Sequence, residues 1–124
     1  MKLLIAEDDA NIALALSVLL RRAISGALIT IVCDGQEAIE HLRDGDYALV
    51  ISDWNMPRVT GLELLAAVRS SQHTQQLPFL MLTARTDGAS FMEPHNADVT
   101  GYIGKPFDND DFINKVKQLL GEGC

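Results

Sequence analysis

Tyr47-Ala48-Leu49-Val50-Ile51-Ser52-Asp53 is the stretch on which the fold turns. Its apolar residues follow one another without the polar alternation of a half-exposed strand, and the run stops at a carboxylate. Such a run suits a strand buried on both faces, the habit of parallel sheets. Similar runs lie on either side of it: Leu3-Leu4-Ile5-Ala6, residues 28–33, Phe79-Leu80-Met81-Leu82 and a weaker one at 99–103. The segments between them carry helix signals. Asp34 stands three residues before Glu37, and Thr60 three before Glu63, so each offers a capping side chain at the right spacing. Acid from Asp108 to Asp111 opens the last segment, Lys115 and Lys117 lie toward its end, and Gly121 follows. Strand then helix, repeated five times, predicts an α/β fold: a doubly wound, five-stranded parallel sheet with five helices on its two faces and right-handed crossovers. With no repeat, low-complexity stretch or internal linker, residues 1–124 read as a single domain.

Composition narrows the function classes. A chain of 124 residues can bury a core without a disulfide or metal staple. Hydrophobic residues at 48% and charged residues at 22% exclude disorder. No apolar run approaches the ~20 residues of a membrane span. The opening Met1-Lys2-Leu3-Leu4-Ile5-Ala6-Glu7 reaches acid too soon for a secretory core. A cytoplasmic location is therefore expected, and the two cysteines, Cys33 and Cys124, fit a reducing compartment. Seventeen acids against ten Lys and Arg leave a net charge of -7. Phosphate contacts need a basic face, so direct nucleic-acid binding is not expected, nor is a membrane partner, while cations are welcome.

In open α/β sheets the ligand site lies beyond the carboxyl ends of the strands. Those ends carry Glu7-Asp8-Asp9 after the first run, Asp53 after the third, Thr83 after the fourth and Lys105-Pro106 after the fifth. Gathered carboxylates repel one another unless a cation is present. Hard oxygen donors without His or Cys suit Mg²⁺. A carboxylate is also a nucleophile toward phosphoryl groups, and the incoming phosphoryl oxygens would need a metal, a hydroxyl and an ammonium to hold them.

On Asp53-Trp54-Asn55-Met56-Pro57 and Lys105-Pro106-Phe107 the chain resembles the response-regulator receiver domains of two-component signalling, those of chemotaxis included, across residues 3–120. The resemblance implies the strand order 2-1-3-4-5. It implies Asp53 as phosphoacceptor, with Mg²⁺ held by Glu7, Asp8, Asp53 and the backbone carbonyl of Asn55. Thr83 and Tyr102 become the switch pair, and Lys105 and Thr83 contact the phosphoryl group. The implied donor is a histidine kinase or histidine phosphotransfer protein, and the implied reader is a downstream output protein or domain. Phosphorylation would add about -2 charge at Asp53. Thr83 and Tyr102 would then move, and the face made by the helix before the fifth strand, that strand and the last helix would change. Such a domain is a signalling switch and not an enzyme, beyond its own phosphoryl transfer and dephosphorylation.

Several alternatives stay open at this level. Three consecutive acids cannot all face one ion: laying residues 3–6 on the family's first strand pairs Glu7 with Asp8 and leaves Asp9 to cap a helix, the other register being Asp8 with Asp9. A metal-dependent phosphohydrolase also uses an aspartyl nucleophile, but it wants Asp-x-Asp-x-Thr near the chain start and usually a cap domain. A receiver-like interaction domain without phosphorylation would lack the Asp or the Lys. Trp54 reads as a surface aromatic beside the site, and His41, His73 and His95 follow no metal spacing and read as surface residues. In the first helix, Ile12, Ala15, Leu16, Leu19 and Leu20 are expected to face the sheet. That leaves Leu14 and Val18 outside, with Arg21 next on their stripe. Because the family docks its histidine-bearing partner on this helix, Leu14, Val18 and the Pro106 loop are the expected docking patch. The segment 86–98 departs from the family: Pro94 stands where its last turn would be and Asp98 where the family usually has the Gly that ends the helix, so the helix is expected to be short or distorted, ending by about Glu93.

Overall fold

The computed structural model describes residues 1–54, 56, 58–84, 100–105 and 107–121. In chain order the elements are β1 (Lys2–Ala6), α1 (Ala10–Ala23), β2 (Leu28–Val32), α2 (Gly35–Asp44), β3 (Leu49–Asp53), α3 (Gly61–Ser70), β4 (Phe79–Ala84), β5 (Thr100–Lys105) and α4 (Asn109–Leu119). All strand pairs are parallel and the sheet runs β2-β1-β3-β4-β5. The expected helix over 86–98, with Glu93, Pro94 and Asp98, lies outside the described residues. No described helix is long and apolar enough to cross a membrane.

The apolar runs are explained by two cores, one on each face of the sheet. Leu3 and Ile5, Leu49 and Ile51, Leu80 and Leu82 pack with Ala13, Leu16 and Leu20 of α1 and Phe112 and Val116 of α4. Their strand neighbours Leu4, Ala6, Val50, Phe79 and Met81 turn the other way, onto Ala38 and Leu42 of α2 and Leu64, Leu65 and Val68 of α3. Successive side chains point to opposite faces, so a strand covered on both faces must be apolar at every position.

β2 is the exception among the runs. It lies at the sheet edge, with β1 as its one strand neighbour among the described residues, and it leaves Leu28 at 64% and Ile31 at 41% exposure. Burial on both faces fails there because an edge strand is only partly roofed by helices. Cys33, just past its end, is a free exposed thiol.

Helix starts follow the caps. The Asp34 carboxylate accepts the Glu37 amide at 2.9 Å and that of Asp108 accepts the Asp111 amide at 2.7 Å. Thr60 and Glu63 form a full capping box, worth about 1 kcal/mol. Gly121, at φ 79, turns the chain out of α4, a conformation that suits a residue without Cβ.

In α1 the buried stripe is Ala13, Leu16, Ser17 and Leu20, with Ile12 and Leu19 half-buried at its margins. Ala15, expected inside, is exposed. The stripe is rotated toward Ala13, and Ser17 enters the interior with its hydroxyl satisfied, donating to the Leu14 carbonyl at 2.8 Å. A hydropathy pattern counts that serine as surface.

Candidate functional site

The site forms where four neighbouring strands end. Strand register places Ala6 beside Ser52, Asp53 beside Leu82, and Ala84 beside Lys105. Glu7 continues β1, its amide donating to the Val32 carbonyl at 3.0 Å. Glu7, Asp53 and Lys105 thus prolong the strand phase of Ile5, Ile51 and Ile103, which face α1 and α4. One carboxylate oxygen each from Glu7, Asp8 and Asp53 lies within 4.8 Å of the others. The Lys105 Nζ donates to Oδ1 of Asp53 at 2.8 Å.

The acidic triplet resolves into two jobs. The carboxylate of Asp9 accepts the amides of Asn11 at 2.9 Å and Ile12 at 3.2 Å and so caps α1. Glu7 and Asp8 are the two that meet Asp53. Glu7 is 2% exposed; its Oε1 accepts the Asp9 amide at 3.3 Å, while Oε2 is buried with no hydrogen-bond partner. Burial, reinforced by the Asp53 charge, pushes the Glu7 carboxyl up to about 7, against the opposing pull of Lys105 and the Asp9 amide. A buried carboxylate oxygen with no partner beside two further carboxylates is costly as it stands. A hard cation would relieve it, and an all-oxygen donor set of this kind fits Mg²⁺.

Thr83 is buried at the end of β4. The register sets Met81 opposite Tyr102, and Thr83 is two residues on from Met81, so Thr83 and Tyr102 share the face that covers α2 and α3. Tyr102 is half-buried, and burial raises its phenol despite the counteracting Arg69 guanidinium. Arg69 in turn donates to the Leu77 carbonyl at 2.6 Å, closing the loop between α3 and β4. Leu14 and Val18 lie on the outer face of α1, 59% and 38% exposed, and Arg21 is exposed beyond them. Asn55 and Pro106 lie outside the described residues. Trp54 is partly buried against the α2–α3 core, so it is less of a surface residue than expected. His41 and His73 are exposed, and His95 lies outside the described residues.

One contributor escaped the sequence reading. Gly61, the first residue of α3, lets that helix sit directly on the Asp53 carbonyl: a Cβ there would collide with this oxygen and stand 2.9 Å from the Met81 sulfur. The Gly61 amide closes the intervening loop on the Trp54 carbonyl at 2.9 Å. The only signal was a glycine following a helix cap.

Comparison with known proteins agrees with this arrangement. The family model for the response regulator receiver domain matches residues 3–117. The chain is 35% identical to the chemotaxis protein CheY of Pseudomonas aeruginosa over 121 residues, covering 97% of this chain and 96% of that protein. It is 37% identical to CheY-3 of Vibrio cholerae over 87 residues, covering 70% of this chain and 67% of that one. The solved structure of the V. cholerae chemotaxis response regulator CheY4 superimposes with a TM-score of 0.83 at 30% identity, covering 95% of this chain and 97% of that one. Sheet order, strand-end chemistry and these likenesses converge, and the chain belongs to the response regulator receiver domain family.

Proposed function

We propose that this receiver is a phosphorylation-dependent switch that takes a phosphoryl group onto Asp53 from a histidine kinase or histidine phosphotransfer protein and then regulates an output partner. The observation that carries the reading is the Lys105 ammonium 2.8 Å from Oδ1 of Asp53, with Glu7 and Asp8 against the same carboxylate. A receiver that had given up phosphorylation would have no reason to keep both partners in contact.

The roles follow from chemistry. An oxygen of the Asp53 carboxylate attacks phosphorus, forming the O–P bond as the bond to the donor's histidine nitrogen breaks. Lys105, already on Oδ1, is placed to meet a phosphoryl oxygen, and the Thr83 hydroxyl meets another. Mg²⁺, held by Glu7, Asp8, Asp53 and the main-chain carbonyl of Asn55, would neutralise charge on the transferring group. Drawing Thr83 toward the site leaves space on the face it shares with Tyr102, and Tyr102 turns into it. A coupling of about 1–3 kcal/mol is the usual scale for such a linkage. The surface that changes includes β5 and α4. Leu14, Val18 and Pro106 form the docking patch for the histidine-bearing donor.

The test is direct. Incubation with a small phosphoryl donor and Mg²⁺ adds one phosphoryl group, mass spectrometry places it on Asp53, and Asp53→Ala abolishes it. A label on any other residue overturns the assignment.

A further inference from the structure

The edge strand β2 runs Leu28-Ile29-Thr30-Ile31-Val32, and Cys33 follows, a stretch without a charge or a proline. Its inner side is paired with β1: the Leu28 amide donates to the Met1 carbonyl at 2.8 Å, the Val32 carbonyl accepts the Glu7 amide at 3.0 Å, and the parallel register between them is unbroken. Successive residues of a strand turn their peptide groups to opposite sides. Leu28, Thr30 and Val32 therefore direct theirs to β1, and Ile29 and Ile31 direct theirs outward, where no described strand pairs with them. Edges are ordinarily protected by a Lys, a Pro, a bulge or an inward-pointing charge. This edge has none of these over 28–33 and leaves Leu28 and Ile31 exposed.

The strand is also complementary to itself. About Thr30 it reads nearly the same in both directions, Ile on either side and then Leu28 and Val32. An antiparallel copy related by a two-fold axis at Thr30 sets Ile29 against the second copy's Ile31 and Leu28 against the second copy's Val32. The peptide groups agree with this register. Facing residues of an antiparallel ladder alternate between pairs that exchange two hydrogen bonds and pairs that exchange none. Ile29 and Ile31, with outward peptide groups, fall on the bonded positions, and Thr30 falls on the axis as the unbonded one, so no bond is borrowed from β1. The side chains agree as well. Ile29 packs against the core under α1 and α4, and Ile31, two residues on, lies on the same side of the sheet. Thr30, whose Oγ1 accepts the Tyr47 hydroxyl at 3.3 Å, and Val32 lie on the side of α2. Facing residues share a side, so isoleucine meets isoleucine on one side and Leu28 meets Val32 on the other. A surface in which residue i meets j and j meets i is what a two-fold dimer requires.

We propose that the outer edge of β2 is a self-association surface, on which two copies of this chain pair their β2 strands antiparallel about Thr30 and join two five-stranded sheets into one. The pairing goes beyond the switch function and does not depend on phosphorylation. Strands this short bury less than the roughly 800 Å² per partner of a standard interface, so the dimer is weak, with a dissociation constant on the order of 100 µM. Each copy carries a net charge of -7, and the dimer tightens as salt screens that repulsion.

The experiment is sedimentation velocity of the unphosphorylated protein in reductant, from about 10 µM to about 1 mM, a range that brackets the expected constant. The parent shifts from monomer toward dimer, and more so at high salt. Ile31→Lys places an ammonium on the edge and weakens association at least about tenfold, whereas Ile31→Val keeps a β-branched residue and stays within about twofold. Disulfide capture then tests the register, in a background with Cys33 and Cys124 replaced by Ser and with oxidised glutathione as oxidant. Thr30→Cys gives a covalent dimer, because the facing Cα atoms of an unbonded pair stand about 4.5 Å apart, within disulfide reach. Leu28→Cys is the more exposed position, but the register sets it about 14 Å from its own copy, and it gives little. A parent that remains monomeric at about 1 mM, leaving the edge to another protein's strand, overturns the proposal. So does a dimer that a folded Ile31→Lys variant leaves intact, or a covalent dimer that forms as readily through position 28 as through position 30. Circular dichroism checks folding; if Ile31→Lys unfolds, the two cysteine variants still decide, since neither replaces a buried residue.

Discussion

Glu7→Gln makes the energetic state of the acidic cluster measurable. The parent side chain is almost wholly buried, its Oε2 has no partner, and its carboxyl is raised from 4.5 to about 7. Below pH 4.5 Glu7 is protonated in both folded and unfolded chains. As pH rises from there to 7 the unfolded chain ionises first, so the folded state holds the extra proton and stability falls through this window. At 1.36 kcal/mol per pH unit the whole loss by pH 8 comes to about 3 kcal/mol in the absence of metal. Glutamine carries no charge at any pH, keeps an acceptor for the Asp9 amide, and brings a donor to the position among the carboxylates. In EDTA at pH 8 the variant is therefore more stable than the parent by up to about 3 kcal/mol, or about 10 °C in melting temperature. Near pH 4 the two converge. Saturating Mg²⁺ at pH 8 closes the gap from the other side, because it stabilises the parent and has lost a ligand in the variant. Denaturant unfolding at the two pH values, with and without Mg²⁺, measures all four states. A variant less stable than the parent at pH 8 in EDTA, or a stability difference independent of pH, would refute the claim that burial and the neighbouring Asp53 charge oppose ionisation of Glu7.

Asp8→Asn weakens Mg²⁺ binding more than Asp9→Asn does, since Asp9 is engaged with the α1 amides; Trp54 fluorescence ranks them, and the reverse order would reassign the pair. Leu14→Asp slows phosphoryl transfer from the histidine-bearing donor while labelling by a small donor is unchanged, and equal loss in both assays would indicate misfolding. Phe112→Ala, which empties a fully buried position stacked on Phe107 at 5.5 Å, costs about 3–5 kcal/mol in denaturant unfolding. A cost below 1 kcal/mol would mean that α4 contributes little to the core.

Much of this molecule is legible before it folds. Unbroken apolar runs such as Leu49-Val50-Ile51 report strands covered on both faces, because the alternation of side chains leaves no position for a polar residue. Asp34, Thr60 and Asp108 announce helix starts because capping is a local bond spanning three residues. The residue types at the strand ends already spell hard-metal and phosphoryl chemistry. What is local in the chain is written locally, and periodicity and capping are local.

Tertiary structure decided the rest. That the run at 28–33 forms an edge strand and exposes Leu28 and Ile31 depends on which strands flank it. The division of labour among Glu7, Asp8 and Asp9 depends on where α1 begins relative to Asp53. The inward turn of Ser17, with Ala15 at the surface, depends on how α1 is rotated about its axis on the sheet, and the hydroxyl is then satisfied within the helix by the Leu14 carbonyl. The Lys105–Asp53 contact joins residues 52 apart, and Arg58 meets Asp34 across two strand ends. Such pairings are set by the sheet that carries them, because a charge has no periodicity to announce its partner and its energy depends on a distance that only the packed chain defines.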